Sequence, residues 1–263
     1  MNTTLKDLAP YALAGLLVGI FVQTAEVWRW LIAIVGPGTA TFVAPGLLAF
    51  LLVALMAWAR VLRRQTIRAW PVAGGLILAL AALSLADPQF PAKRIHVAEY
   101  VLLSLVIRYG VAAEADGVRL TVLSAIITAL FGLHDELAQG LHPARSFGRM
   151  DVVVNGLSGL AGALLAHGLN IAPGRKTMAS STIPALSAVG VIAGVVFLAV
   201  AVGAYRDQFI PWWTMTPVLA AGAFWFFDQR SAVTTTPVSV AVWLALLIPI
   251  YPVLANVTPL VFH

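Results

Sequence analysis

Thr41-Phe-Val-Ala-Pro-Gly-Leu-Leu-Ala-Phe-Leu-Leu-Val-Ala-Leu-Met-Ala-Trp-Ala59 contains no charged side chain, and Arg60 closes it. As a helix this run rises about 28 Å, close to the thickness of a bilayer's hydrocarbon core. Similar runs recur at about residues 8–25, 70–86, 95–111, 118–134, 152–169, 183–202, 212–227 and 238–257. The runs are continuous and do not alternate, which excludes a transmembrane β-barrel. Composition agrees: of 263 residues, 60% are hydrophobic and only 10% charged, with mean hydropathy +0.92. A soluble domain carries roughly 25% charged residues, so water is not the solvent for most of this surface. The expected fold is an all-α, polytopic bundle of about nine transmembrane helices.

Topology follows from the basic residues. Glu26-Val-Trp-Arg-Trp30 and the run to Val35 suit the membrane interface, and Gly36-Pro37-Gly38 then breaks the helix. With that segment interfacial and the N-terminus cytoplasmic, the inner side holds Lys6, Arg60, Arg63, Arg64, Arg68, Arg108, Arg119, Arg175, Lys176 and Arg230. The outer side holds Arg29, Lys93, Arg94, Arg145, Arg149 and Arg206, so the positive-inside rule favours an inner N-terminus. The net charge of +5 is therefore topological, and without a basic tail no nucleic-acid partner is expected. Lys6 is offset by Asp7, which argues against a cleaved signal peptide. The absence of cysteine excludes disulfides, thiolate metal sites and cysteine nucleophiles.

Polar residues divide the chain into three parts. Residues 1–72 read as N-terminal membrane helices with the interfacial segment, 73–172 as a core with a polar rim, and 173–263 as apolar scaffold helices. No internal repeat supports an inverted-repeat transporter.

The core carries the chemistry. In Lys93-Arg-Ile-His-Val-Ala-Glu-Tyr100, His96 to Glu99 is i,i+3 and His96 to Tyr100 is i,i+4, so a proton carrier, a carboxylate and a phenol share one helical face. Lys93 stands a turn above them, although a snorkelling base at a helix end explains it equally well. Glu99 lies a turn inside an apolar span, where an unpaired charge costs on the order of 3 kcal/mol. In His134-Asp-Glu-Leu-Ala-Gln139, Asp135, Glu136 and Gln139 form a second polar patch. Adjacent acids in a dry site do not both ionise readily, which raises one carboxyl toward neutrality as a usable acid or base.

A Pro- and Gly-punctuated loop, Leu141 to Asp151, follows and brings Arg145, whose fork suits a phosphate or carboxylate. Asp151, Asn155 and Ser158 then form a polar stripe, with an N-cap role competing for Asp151. Gly156, Gly159 and Gly162 read as close helix packing. His96, Glu99 and Glu136 offer ligands of the kind zinc or manganese accepts, but no spacing is a recognised metal signature, and the residues name no cofactor. Zinc-protease, serine-hydrolase and P-loop patterns are absent. His167 and His263 are weaker candidates, one near the opposite membrane face and one at the chain end.

Lys93, His96, Tyr100, Glu136, Gln139, Arg145, Asp151, Asn155 and Gly162 resemble, in order and spacing, the VanZ-like family of small bacterial membrane proteins. That family's pattern is Lys-x-x-His-x-x-x-(Tyr/Phe), then Glu-x-x-Gln, an Arg, and Asp-x-x-x-Asn followed by spaced glycines. The resemblance covers roughly residues 76–169. Ala92 replaces a frequent acidic residue and Ser158 a glycine. It implies an envelope-related role in the inner membrane, with a link to resistance against the glycopeptide teicoplanin, and implies no substrate.

Three functions compete. The first is a membrane-embedded hydrolase or transferase acting on a lipid-linked or polyprenyl phosphate or glycoconjugate at the outer leaflet. Lys93 and Arg145 would hold the head group, His96 or Glu136 would act as acid or base, and Asp151 with Asn155 would orient them. Asp135 is a further catalytic candidate, while Glu99, Tyr100 and Gln139 would line the binding site. The second is a head-group binding protein or transporter using the same cations without chemistry. The third is a structural bundle whose polar rim only joins helices.

Overall fold

The computed structural model describes residues 5–62, 64, 66–87, 90–143, 145–174, 185–228, 236–258 and 262–263. Arg63, Arg175, Lys176, Arg230 and the start of the expected 183–202 span lie outside the described residues. Every regular element among the described residues is helical. The α-helices in chain order are α1 (Leu5–Phe21), α2 (Thr24–Val35), α3 (Pro37–Ala40), α4 (Val43–Ala57), α5 (Ala69–Leu85), α6 (Ile95–Val111), α7 (Gly117–Gly140), α8 (Arg149–Gly168), α9 (Ala185–Ala204), α10 (Thr216–Asp228), α11 (Thr236–Leu247) and α12 (Ile250–Val257), with a π-helical turn at Trp58–Leu62 and 3₁₀ turns at Pro91–Arg94 and Trp212–Met215.

Four helical stretches among the described residues are long and apolar enough to cross a membrane: Pro37–Val61, Gly117–Gly140, Arg149–Gly168 and Thr236–Val257. A fifth arises if α1 and α2, bent by 50° at a short break, act as one. The protein is thus an integral membrane protein, but the nine spans expected from hydropathy are not supported. Apolar residues outside regular helix account for part of the difference. The expected 212–227 span spends Trp212–Met215 on a 3₁₀ turn and leaves a 13-residue α10. Each of α5 and α6 has 17 residues, short of the roughly 20 that a crossing needs. The segment expected to lie at the interface is helical as α2, and Gly36 ends it at φ +82° before Pro37 opens α3.

The chain forms two compact units. The first comprises Met1–Gly132 and Met150–Lys176, the second Leu133–Arg149 and Thr177–His263. In the first unit α6 is the buried element, packing on α1, α4 and α5. By contrast, α4 turns Leu47, Phe50, Val53 and Met56 outward, a surface suited to lipid. The most polar of these helices therefore lies inside, where neighbours shield its charges. Small residues permit the approach. A Cβ on Gly162 would lie 2.7 Å from the Val101 carbonyl, and one on Gly159 would lie 2.8 Å from Thr128. Gly156, the third glycine of that series, has open space in front of it.

In the second unit α9 packs on α10, with Gly194 against the Val218 backbone. The break between α11 and α12 is the work of Pro249, which has no N–H for the Ala245 carbonyl. Ile248 N–H therefore turns to Ala245 O (3.3 Å), and the Leu244 carbonyl is released. His134 Nε2 takes that carbonyl at 2.9 Å, which fixes its N–H on Nε2 and leaves Nδ1 to accept from the Tyr251 hydroxyl at 3.0 Å. Phe262 and His263 anchor the loop after α7. Gly140 O accepts from His263 N–H, Phe147 N–H donates to His263 O, and Phe262 packs its ring against Phe147 and Gly140.

Candidate functional site

The sequence-predicted residues fall into two groups, one in each unit. In the first unit the 3₁₀ turn Pro91–Arg94 leads into α6 and places Lys93 just ahead of its first turn. Lys93 Nζ lies 2.6 Å from Asp151 Oδ2, joining the start of α6 to the start of α8. The lysine is about one third exposed and the aspartate buried. Asp151 sits inside the first turn of α8 and spends its carboxylate on this pair, so the N-cap role is not the one adopted.

One turn deeper, His96 Nδ1 stands 2.8 Å from Glu99 Oε2, and Thr24 Oγ1 donates to Glu99 Oε1 at 2.7 Å. The helical spacing makes the first bond, whereas α2 supplies the second from 75 residues away. A carboxylate held in this way fixes the imidazole's orientation and draws a proton to Nδ1. Glu99, expected to be paired or facing a polar space, is therefore paired. Tyr100 is fully buried, its ring tilted against His96 and Phe21. Asn155 Nδ2 reaches the Gly132 carbonyl at 3.5 Å, and a Cβ on Gly132 would lie 2.8 Å from that asparagine. Ser158 donates to Val154 O of its own helix, so its hydroxyl proton is used within α8.

In the second unit Asp135 and Glu136 are both fully buried, as is most of Gln139. Glu136 Oε2 accepts from Gly148 N–H at 3.2 Å and Oε1 from Gln139 Nε2 at 3.4 Å. Arg145 donates to Gln139 Oε1, which leaves that amide bridging a carboxylate and a guanidinium. Glu136 thus secures the loop that carries Arg145. Arg149 reaches Gly203 O at 2.5 Å, and His134 belongs to the Leu244 and Tyr251 arrangement. Of the ligands considered for a metal, His96 and Glu99 bond each other.

Thr24, Gly148 N–H and Tyr251 went unforeseen in the sequence. Thr24 is an ordinary residue at the end of an apolar run, and a backbone N–H leaves no mark in composition. Tyr251 did carry a signal, a phenol beside the only Pro-x-x-Pro spacing of the last predicted span. The chain matches no family profile, no curated protein and no solved structure.

Proposed function

We propose that the protein is a VanZ-like enzyme of the bacterial envelope, seated in the inner membrane with its N-terminus inside and Lys93 on the outer side. Its substrate class is a lipid-linked or polyprenyl phosphate or glycoconjugate, and it works by acid/base chemistry on the head group. The carrying observation is the Thr24–Glu99–His96 chain beneath the Lys93–Asp151 pair. It supports His96 as the general base or acid, because the Glu99 carboxylate on Nδ1 orients the imidazole and leaves Nε2 as the atom for proton transfer. Lys93 supplies a cation for an anionic head group, exchanging Asp151 for the ligand. Glu136, taken by two donors, is better suited to holding the Arg145 loop than to moving protons. Arg145 adds a guanidinium of the right chemistry for the same class of ligand.

Mass spectrometry of total envelope lipid incubated with the protein in nanodiscs tests this reading, with folded His96→Gln and Glu99→Gln variants as controls. A new lipid species formed by wild type and lost in His96→Gln is expected. An unchanged lipid pool would defeat the catalytic assignment. The Lys93–Asp151 pair also favours a second reading, head-group binding or transport without chemistry, in which an ion pair opens to admit a ligand. Under that reading one lipid is retained by wild type and by His96→Gln, but not by Lys93→Ala.

A further inference from the structure

The other end of α6 holds a cluster that acid/base chemistry at His96 does not use. Arg108 is on the last turn, about 18 Å along the helix from His96. It is only 1% exposed. Its Nε donates to the Ile171 carbonyl at 2.6 Å, while its Nη1, also buried, has no hydrogen-bond partner among the described residues. Arg68, which precedes α5, donates its backbone N–H to Gly168 O at 2.8 Å. The Arg68 guanidinium Nη1 lies 3.1 Å from His167 Nε2. The charged groups acting on His167 are Arg68 and Arg108, both cations. Three basic side chains therefore gather around residues 167–171, where α8 ends. None of the three makes an ion pair with a carboxylate among the described residues.

A buried guanidinium without a counter-charge is expensive, and like-charged neighbours add to the cost. The carbonyl end of α8 offers partial negative charge. The Ile171 carbonyl just beyond it satisfies one nitrogen of Arg108, and no backbone carbonyl among the described residues accepts from the Arg68 guanidinium. The Arg68–His167 contact further requires a neutral imidazole that accepts the arginine proton, so this histidine contributes no negative charge either.

We infer that this end of the first unit binds a phosphate-type anion, with Arg68 as the accessible fork, Arg108 as the buried charge behind it, and His167 as the third group. The phosphate belongs either to the head group of an anionic phospholipid or to a free phosphate ion. Arginine pairs of this kind match phosphate geometry, and basic pockets between membrane helices hold anionic head groups.

The test is thermal unfolding and native mass spectrometry of the full chain. It is run in phosphatidylcholine nanodiscs, in nanodiscs with added phosphatidylglycerol, and in phosphatidylcholine with inorganic phosphate. Stabilisation by phosphatidylglycerol alone assigns a lipid head group, and equal stabilisation by phosphate assigns a free anion. In either case Arg68→Gln is expected to weaken retention about tenfold, while Arg60→Gln, an exposed arginine outside the cluster, leaves it unchanged. Arg108→Met, which removes the buried charge, is expected to unfold at a temperature independent of the anion. If Arg108→Met does not fold, Arg68→Gln against Arg60→Gln decides. Equal stability under all three conditions, or equal losses in Arg60→Gln and Arg68→Gln, would overturn the inference.

Discussion

Lys93 Nζ and Asp151 Oδ2, separated by 2.6 Å and by 58 positions in sequence, tie the entry of α6 to the entry of α8. Removing either partner leaves the other without its counter-charge, and the buried aspartate bears the larger penalty. Lys93→Met is expected to cost about 1–2 kcal/mol, moderated by the lysine's contact with solvent. The double variant Lys93→Met/Asp151→Asn should recover part of that loss, measured by thermal unfolding in a fixed detergent. Strict additivity of the two single changes would show that the pair does not stabilise the fold.

The glycines of α8 differ sharply in what they face. Gly162→Ala drives a methyl group to 2.7 Å from the Val101 carbonyl and 2.8 Å from Ser104, backbone and side chain of a buried helix. A loss of about 1–3 kcal/mol is expected. Gly156→Ala meets nothing and should be neutral or stabilising, since alanine is the better helix former. Unfolding midpoints of the two variants measure the contrast, and equal effects would contradict the packing described.

His134 compensates for a proline. His134→Ala removes the donor to the Leu244 carbonyl and should destabilise by about 1–3 kcal/mol. Pro249→Ala restores an N–H for Ala245 O and lets Ile248 N–H return to Leu244 O. In that background His134→Ala should cost distinctly less. A double-mutant cycle reads the coupling, and its absence would separate the histidine from the helix break.

Phe262 and His263 brace the loop that presents Arg145. Phe262→Ala removes a ring packed on Phe147 and against Gly140. Amide exchange between Gly140 and Gly148 should accelerate, with α9 and α10 little changed. Uniform acceleration across both helices would indicate global loosening and not a local brace.

Local periodicity made part of the site visible in the sequence. His96 and Glu99 share a helical face by spacing alone, and the structure joins them directly. Gln139 likewise meets Glu136 at i,i+3. Contacts between helices were not visible: nothing in the text of the chain links Thr24 to Glu99 or Arg108 to Ile171. The glycine series shows the same boundary, because identical residues at matching intervals include one that touches nothing. Hydropathy located most of the helices yet overstated how many cross a membrane, since an apolar residue in a 3₁₀ turn scores the same as one in a helix.

The burial of α6 constrains how the chain is made. A helix with Glu99 near one end and Arg108 near the other partitions poorly into lipid by itself. Thr24 is already synthesised when α6 emerges, but Asp151, the partner of its leading lysine, and Ile171, which receives Arg108, come dozens of residues later. The charged groups along α6 therefore reach their full set of partners only after the whole of α8 and Ile171 have been made.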